Sequence, residues 1–194
     1  MQFGVIGSSE PYDSPVPIWG STPATDYLLS GRGFSIVHDG AGFSRTEKVK
    51  SLARNASARR SIKVCWEGAH QGRNCGVCEK CIRTKLNFLA VGVTFPECFD
   101  EGLSEENILG LKVQNDTQLN ELKTILHYVE KNRCSNTHFE ILGKHFNKLK
   151  QIRQQHDELT QQRDELTQQR DELLNSTIWR ATKPIRWFVN LIKR

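Results

Sequence analysis

Four of the six cysteines in this 194-residue chain fall between Cys65 and Cys81. Cys75, Cys78 and Cys81 follow the pattern C-x2-C-x2-C, and Cys65 lies one glycine-containing loop upstream. Short turns of this kind can bring successive sulfurs to about 2.3 Å, a zinc–sulfur bond length, from one shared centre. The spacing predicts a zinc site with Cys65, Cys75, Cys78 and Cys81 as ligands. Zinc is favoured over an iron–sulfur cluster, because Lys85 and Leu86 stand where a ferredoxin run carries a further cysteine and a proline. Four protein ligands fill the tetrahedron, so this metal is expected to hold structure and leave catalysis to other groups. Cys98 and Cys134 are isolated and read as ordinary thiols.

A second set of candidates lies earlier. Phe34-Ser35-Ile36-Val37 alternates like a strand and delivers His38-Asp39-Gly40 at its end, where ligand-contacting residues collect in open α/β sheets. Ser44 and Glu47 form a capping box for a helix running to about Asn55, with a basic face of Arg45, Lys48, Lys50 and Arg54. His38, Asp39, Arg45 and Lys48 are therefore the candidate nucleotide- or substrate-binding residues. The plain reading beside this one is a strand-end hydrogen bond for His38 and a solvated charged face for the helix.

The elements that must position these groups alternate. Phe3 to Ile6 reads as a buried strand, followed by a loop with Pro11, Pro15, Pro17 and Pro23 and a short helix over Ala24 to Ser30. Ile62 to Trp66 reads as a strand feeding the cysteine loop, and a helix carries Cys81, Ile82, Leu86, Leu89 and Ala90 toward Gly92. Such alternation predicts an α/β fold with a parallel sheet. From Ser104 onward only helices are expected, one with an apolar stripe at Leu119, Leu122, Ile125, Leu126 and Val129. The expected domains are a zinc-bearing α/β domain over 1–100, a helical region over 101–150, a heptad helix over 151–176 and a basic amphipathic tail over 177–194.

Asp157 to Arg163 repeats identically at 164–170 and starts again at Asp171, so Leu159, Leu166 and Leu173 stand seven apart. This is coiled-coil periodicity, although the other seam position carries His156, Arg163 and Arg170. The repeat fits either a homo-oligomer or partner helix, or a long solvent-exposed helix. In the tail, basic residues alternate with Trp179, Trp187 and Phe188. That suits an anionic membrane surface or docking on the body of the protein.

Hydrophobic residues make up 37% of the chain and the net charge is +5, which permits phosphate or anionic lipid but does not demand nucleic acid. The zinc loop lacks a reading helix with interleaved aromatics, which argues against nucleic acid as a partner. Three cysteines within seven residues make poor disulfide partners, and no leader or long apolar run is present. The chain therefore reads as cytoplasmic, with peripheral attachment at an inner membrane through the tail.

The motif C-x9-C-x2-C-x2-C, preceded by Ser44-Arg45-Thr46-Glu47 and followed by Ile82-Arg83, resembles the C-terminal part of the 7-cyano-7-deazaguanine synthases. These are ATP-dependent ligases of the PP-loop (adenine-nucleotide alpha-hydrolase-like) fold, and the resemblance implies zinc on the same four cysteines. Trp19 to Pro23, His38 to Lys48 and Asn74 to Thr84 are similar to motifs of related bacterial proteins found with surface-polysaccharide genes. Asn175 to Arg180 with Pro184 resembles the tails of polysaccharide glycosyltransferases. The resemblance covers about residues 1–95 and the tail. The phosphate-binding serine–glycine–glycine–x–aspartate–serine string of the family does not occur here. ATP is thus expected only if an N-terminal half supplies that loop, and the chain alone is expected to be inactive. The other reading is a non-catalytic, zinc-stabilised scaffold that pairs through its long helix and sits at the membrane surface.

Overall fold

The computed structural model describes residues 2–8, 11–12, 22–65, 72–182 and 185. These combine helix and strand, and two compact units divide the chain at 149/150. Trp19, Gly20 and Ser21, Trp66, and the tail at 183–184 and 186–194 lie outside the described residues, as do the side chains of Ile178 and Trp179.

In the first unit β1 (Gln2–Gly7) and β2 (Phe34–Asp39) pair in parallel, in register from Gln2 with Phe34 to Gly7 with Asp39. Parallel strands need a crossover, and the described part of this one carries a single turn of 3-10 helix, Asp26–Leu29. After β2, Gly40 turns the chain at a φ of 75°, a left-handed value that favours glycine. The helix α1 (Arg45–Ala53) then starts on the expected capping box. The Ser44 amide donates to Glu47 Oε2 at 2.8 Å, and the Glu47 amide donates to Ser44 Oγ at 3.3 Å.

Two expectations are corrected here. The helix ends at Ala53 because Asn55 caps a new one, α2 (Ala56–Ser61), by accepting the Ala58 amide at 3.1 Å. An Asn side chain that bonds its neighbouring backbone competes with helix continuation. The predicted strand from Ile62 to Trp66 is absent over its described part, residues 62–65. Instead of a ladder, the amides of Val64 and Cys65 both donate to Asn74 Oδ1, at 2.8 and 3.2 Å.

The cysteine loop leads into α3 (Glu79–Ala90), which Val91 and Gly92 terminate, the latter with a φ of 88°. There follow α4 (Glu105–Leu109), again with a capping box, and α5 (Asp116–Lys131), capped by Asn115. Next come α6 (Thr137–Asn175) and α7 (Thr177–Ala181).

The core has two parts on opposite sides of α3. One joins Ile82, Leu86 and Ala90 to Ile108, Leu111, Leu122, Ile125 and Val129, and to Phe139, Leu142 and Leu149 at the start of α6. The other gathers Val49, Cys65, Cys81, Phe88, Cys98 and Phe99.

The second unit contains the remainder of α6 and α7. Its repeat is a polar helix surface, with Gln154–Glu158, Gln161–Glu165 and Gln168–Glu172 bonded one turn apart at 3.0, 2.8 and 2.9 Å. Leu159, Leu166 and Leu173 are exposed by about two thirds. Among the described residues no helix is long and apolar enough to cross a membrane.

Candidate metal centre

Each cysteine of the candidate site is placed by a different local device. Cys65 ends the extended segment that Asn74 clamps. Cys75 directly follows Asn74 in the loop, and Gly76 then turns it at a φ of 76°. Cys78 is the N-cap of α3, and its amide donates to Cys75 Sγ at 3.3 Å. Cys81 lies in the first turn of α3, where the positive end of the helix dipole favours a thiolate.

The four sulfurs converge. All lie within 4.8 Å of one another, with Cys75 and Cys81 3.8 Å apart and Cys78 and Cys65 3.7 Å apart. Sulfurs bound at about 2.3 Å to one tetrahedral ion sit about 3.8 Å from each other. A cubane cluster binds each thiolate to a different iron and spreads the sulfurs farther. The group therefore fits a single metal ion such as zinc. Cys98 and Cys134 lie outside it, and the Cys134 thiol is directed to the Ala90 carbonyl at 3.5 Å.

Burial disfavours a bare thiolate in this place. Burial pushes the Cys81 and Cys78 thiols up, against the pull of the Gly76 amide on the first and the Cys81 amide on the second. Thiolates at these positions need a compensating positive charge. One is already built in. Lys85 is buried on α3, donates to the Gly102 carbonyl at 3.0 Å, and lies 5.2 Å from the centre of the Phe99 ring. A Cβ added at Gly76 would stand 3.4 Å from its Nζ, so the ammonium borders the cysteine loop. Burial pushes the Lys85 pKa down, while Cys81, Glu101 and Cys75 pull it up. Four thiolates on a divalent ion would leave two negative charges, and this ammonium would offset part of them.

Sequence reasoning missed Asn74, whose one side chain closes the site. Besides accepting two amides, its Nδ2 donates to the Ile62 and Cys98 carbonyls at 2.8 and 3.1 Å. Its signal was its place directly before Cys75 in the cysteine loop.

The other candidates are distributed. His38 and Asp39 end β2, and Lys48 Nζ donates to the Ser8 carbonyl at 2.6 Å, just beyond the end of β1. Arg45 pairs with Glu121 of α5 at 3.1 Å. Glu121 also pairs with Arg83 of α3, which in turn pairs with Glu79. This ion network, centred on the buried Arg83, went unforeseen because Arg45, Arg83 and Glu121 are far apart in the chain. Thr46 likewise donates to Asn87 Oδ1 at 2.6 Å, fixing α1 against α3. No protein-family model, no curated protein and no solved structure matches this chain.

Proposed function

We propose that this chain is a zinc-stapled α/β module of a PP-loop, ATP-dependent ligase-like protein linked to bacterial surface polysaccharide synthesis. The convergence of four sulfurs within 4.8 Å of one another, with the Cys75–Cys81 and Cys78–Cys65 pairs at tetrahedral spacing, is the observation that carries the zinc assignment. The metal is structural, since four thiolates leave it no open position. The ligase-like part is supported by two parallel strands followed by a capped helix, with His38, Asp39 and Lys48 at the strand ends. Elemental analysis of the purified chain is expected to find one zinc per molecule and no iron. A metal-free preparation that melts at the same temperature would sink the staple. Calorimetric titration with magnesium-ATP should give binding heat only when a protein carrying the missing phosphate loop is added. Silence in both arms removes the ligase-like reading.

A second reading has its own observation. Leu159, Leu166 and Leu173 are exposed seven apart on α6, which suits pairing with a like helix in a scaffold that needs no catalysis. The basic tail would then hold the scaffold at an anionic membrane. Sedimentation equilibrium tests the pairing, and liposome flotation with and without residues 177–194 tests the tail. A monomer at all concentrations, or equal flotation of both forms, refutes the corresponding half.

A further inference from the structure

The repeat of α6 carries a charge pattern that its leucines alone do not explain. Ile152, Leu159, Leu166 and Leu173 are exposed by half to two thirds, seven residues apart on one line of the helix. A strict period of seven keeps such a line turned to one neighbour in a left-handed supercoil. Two seams can contain it. With the leucines at position d of a heptad abcdefg, position a holds His156, Arg163 and Arg170, and arginine is buried in the seam. With the leucines at a, position d holds Gln155, Gln162 and Gln169, which carry no charge and can bond one another. The second seam is favoured, because a buried charge costs far more than a hydrogen-bonded amide.

In that seating the charges separate by side. Glu158 and Glu165 take position g, and Arg163 and Arg170 take position e. All four are exposed. Each glutamate accepts through Oε1 from the glutamine one turn earlier, at 3.0 and 2.8 Å. Each arginine holds the next aspartate of its own chain through Nε and Nη2. Across a two-stranded seam, g of one helix faces e of the other, five residues on, when the helices run parallel. Parallel copies in register therefore bring Glu158 to Arg163 of the second copy and Glu165 to Arg170. Two-fold symmetry makes each pair occur twice. Antiparallel copies would set glutamate against glutamate and arginine against arginine. They would also pack leucine on glutamine, whereas parallel copies pack leucine on leucine and glutamine on glutamine.

We infer that α6 pairs with α6 of a second copy of this chain as a parallel, in-register coiled coil over residues 152–173. Ile152, Leu159, Leu166 and Leu173 form its a layers, and Glu158–Arg163 and Glu165–Arg170 pairs join the two chains. The seam is about 33 Å long and every second layer is an amide, so the dimer is a reversible one. The inference rests on the scaffold reading, in which this helix pairs, and adds to it the partner, the seam and the direction.

Sedimentation equilibrium of the zinc-loaded full chain should show a monomer passing to a dimer as concentration rises. Glu158→Arg with Glu165→Arg puts arginine on both flanks and should weaken the dimer about tenfold or more, since four exposed ion pairs become repulsive. Adding Arg163→Glu and Arg170→Glu restores opposite charges and should return most of the affinity. Direction is read by oxidative cross-linking at the last a layer. Leu173→Cys chains should cross-link to each other well above the thiol background of the parent. Unchanged affinity in the charge variants, a trimer, or cross-links that form only between a Leu173→Cys chain and an Ile152→Cys chain would overturn this seam and direction while keeping the pairing. A monomer at all concentrations removes both.

Discussion

Replacing Asn74 by alanine tests how the metal centre is built. The side chain is buried and makes four hydrogen bonds, to the amides of Val64 and Cys65 and the carbonyls of Ile62 and Cys98. Each contributes about 1 kcal/mol net, and more where the stranded partner stays buried, so the loss should total about 3–5 kcal/mol. That is a large part of the 5–15 kcal/mol that holds a typical domain together, but less than the roughly 10 kcal/mol available from a structural zinc. The variant should therefore fold when loaded with zinc and be largely unfolded without it. Because Asn74 fixes the backbone at Cys65, zinc affinity should fall about 10- to 100-fold, as for other outer partners of metal ligands. Urea unfolding with and without zinc, together with chelator competition, measures both. Asn74→Asp separates the roles. It keeps an acceptor for both amides but sets a carboxylate oxygen against two carbonyls, so it should be at least as damaging as alanine. An alanine variant within about 1 kcal/mol of the parent, the range of ordinary substitutions, would refute the clamp, as would an aspartate variant that behaves like the parent.

Three further outcomes follow from the same site and its surroundings. Cys81→Ser should abolish stable zinc binding and lower the melting temperature to about that of the metal-free parent, and a serine variant that keeps one zinc per chain through gel filtration would contradict the ligand assignment. The metal-free chain should lose stability as pH rises above 9.0, the ordinary thiol value, because burial raises Cys81 in the folded state and unfolding then releases its proton. Zinc-loaded protein should lack this alkaline slope, and denaturation midpoints at several pH values decide the point. The Arg59 guanidinium, bonded to Glu97 at 2.8 and 2.7 Å, holds that carboxyl at about 2. A depressed carboxylate stabilises above its ordinary value of 4.5 and stops doing so as pH falls toward about 2. Any difference in midpoint between the parent and Glu97→Gln should fade over that window, and a difference that grows on acidification would refute the pair.

What the sequence made legible were the features whose causes are local. The Ser44–Glu47 cap, the helix carrying Cys81 toward Gly92 and the alternating strand β2 each depend on a few adjacent residues or on simple alternation. The four cysteines were legible because metal ligation imposes spacing. What stayed hidden depends on partners distant in sequence. Residues 62–65 look like a strand by composition, yet a strand needs a neighbour, and Asn74 supplies the hydrogen bonds in place of one. Arg45 reads as a phosphate contact on a basic helix until Glu121, 76 positions later, takes its guanidinium. Asp26, whose Oδ2 lies 2.8 Å from His38 Nε2, gave no signal at all, since nothing near it announces His38.

The helix α3 explains why one metal site can govern so much of the first unit. Nine of its twelve residues are buried, including Arg83, Thr84, Lys85 and Asn87. Each of those polar side chains has a partner: Glu79 and Glu121, the Lys80 carbonyl, the Gly102 carbonyl, and Thr46 with the Arg83 carbonyl. A helix buried all round cannot be held by one apolar stripe, because every face must be satisfied together. Its lower turns divide the core, with Leu86 on one side and Phe88 on the other, and its first turn carries Cys81. A metal bound there fixes the N-terminus of the one element that both halves of the core share. Losing the ion frees a loop and also leaves buried thiols and the Lys85 ammonium without the arrangement that reconciles them. A metal held by these four cysteines would therefore act on packing through α3, and its removal should loosen α5 as well as the cysteine loop.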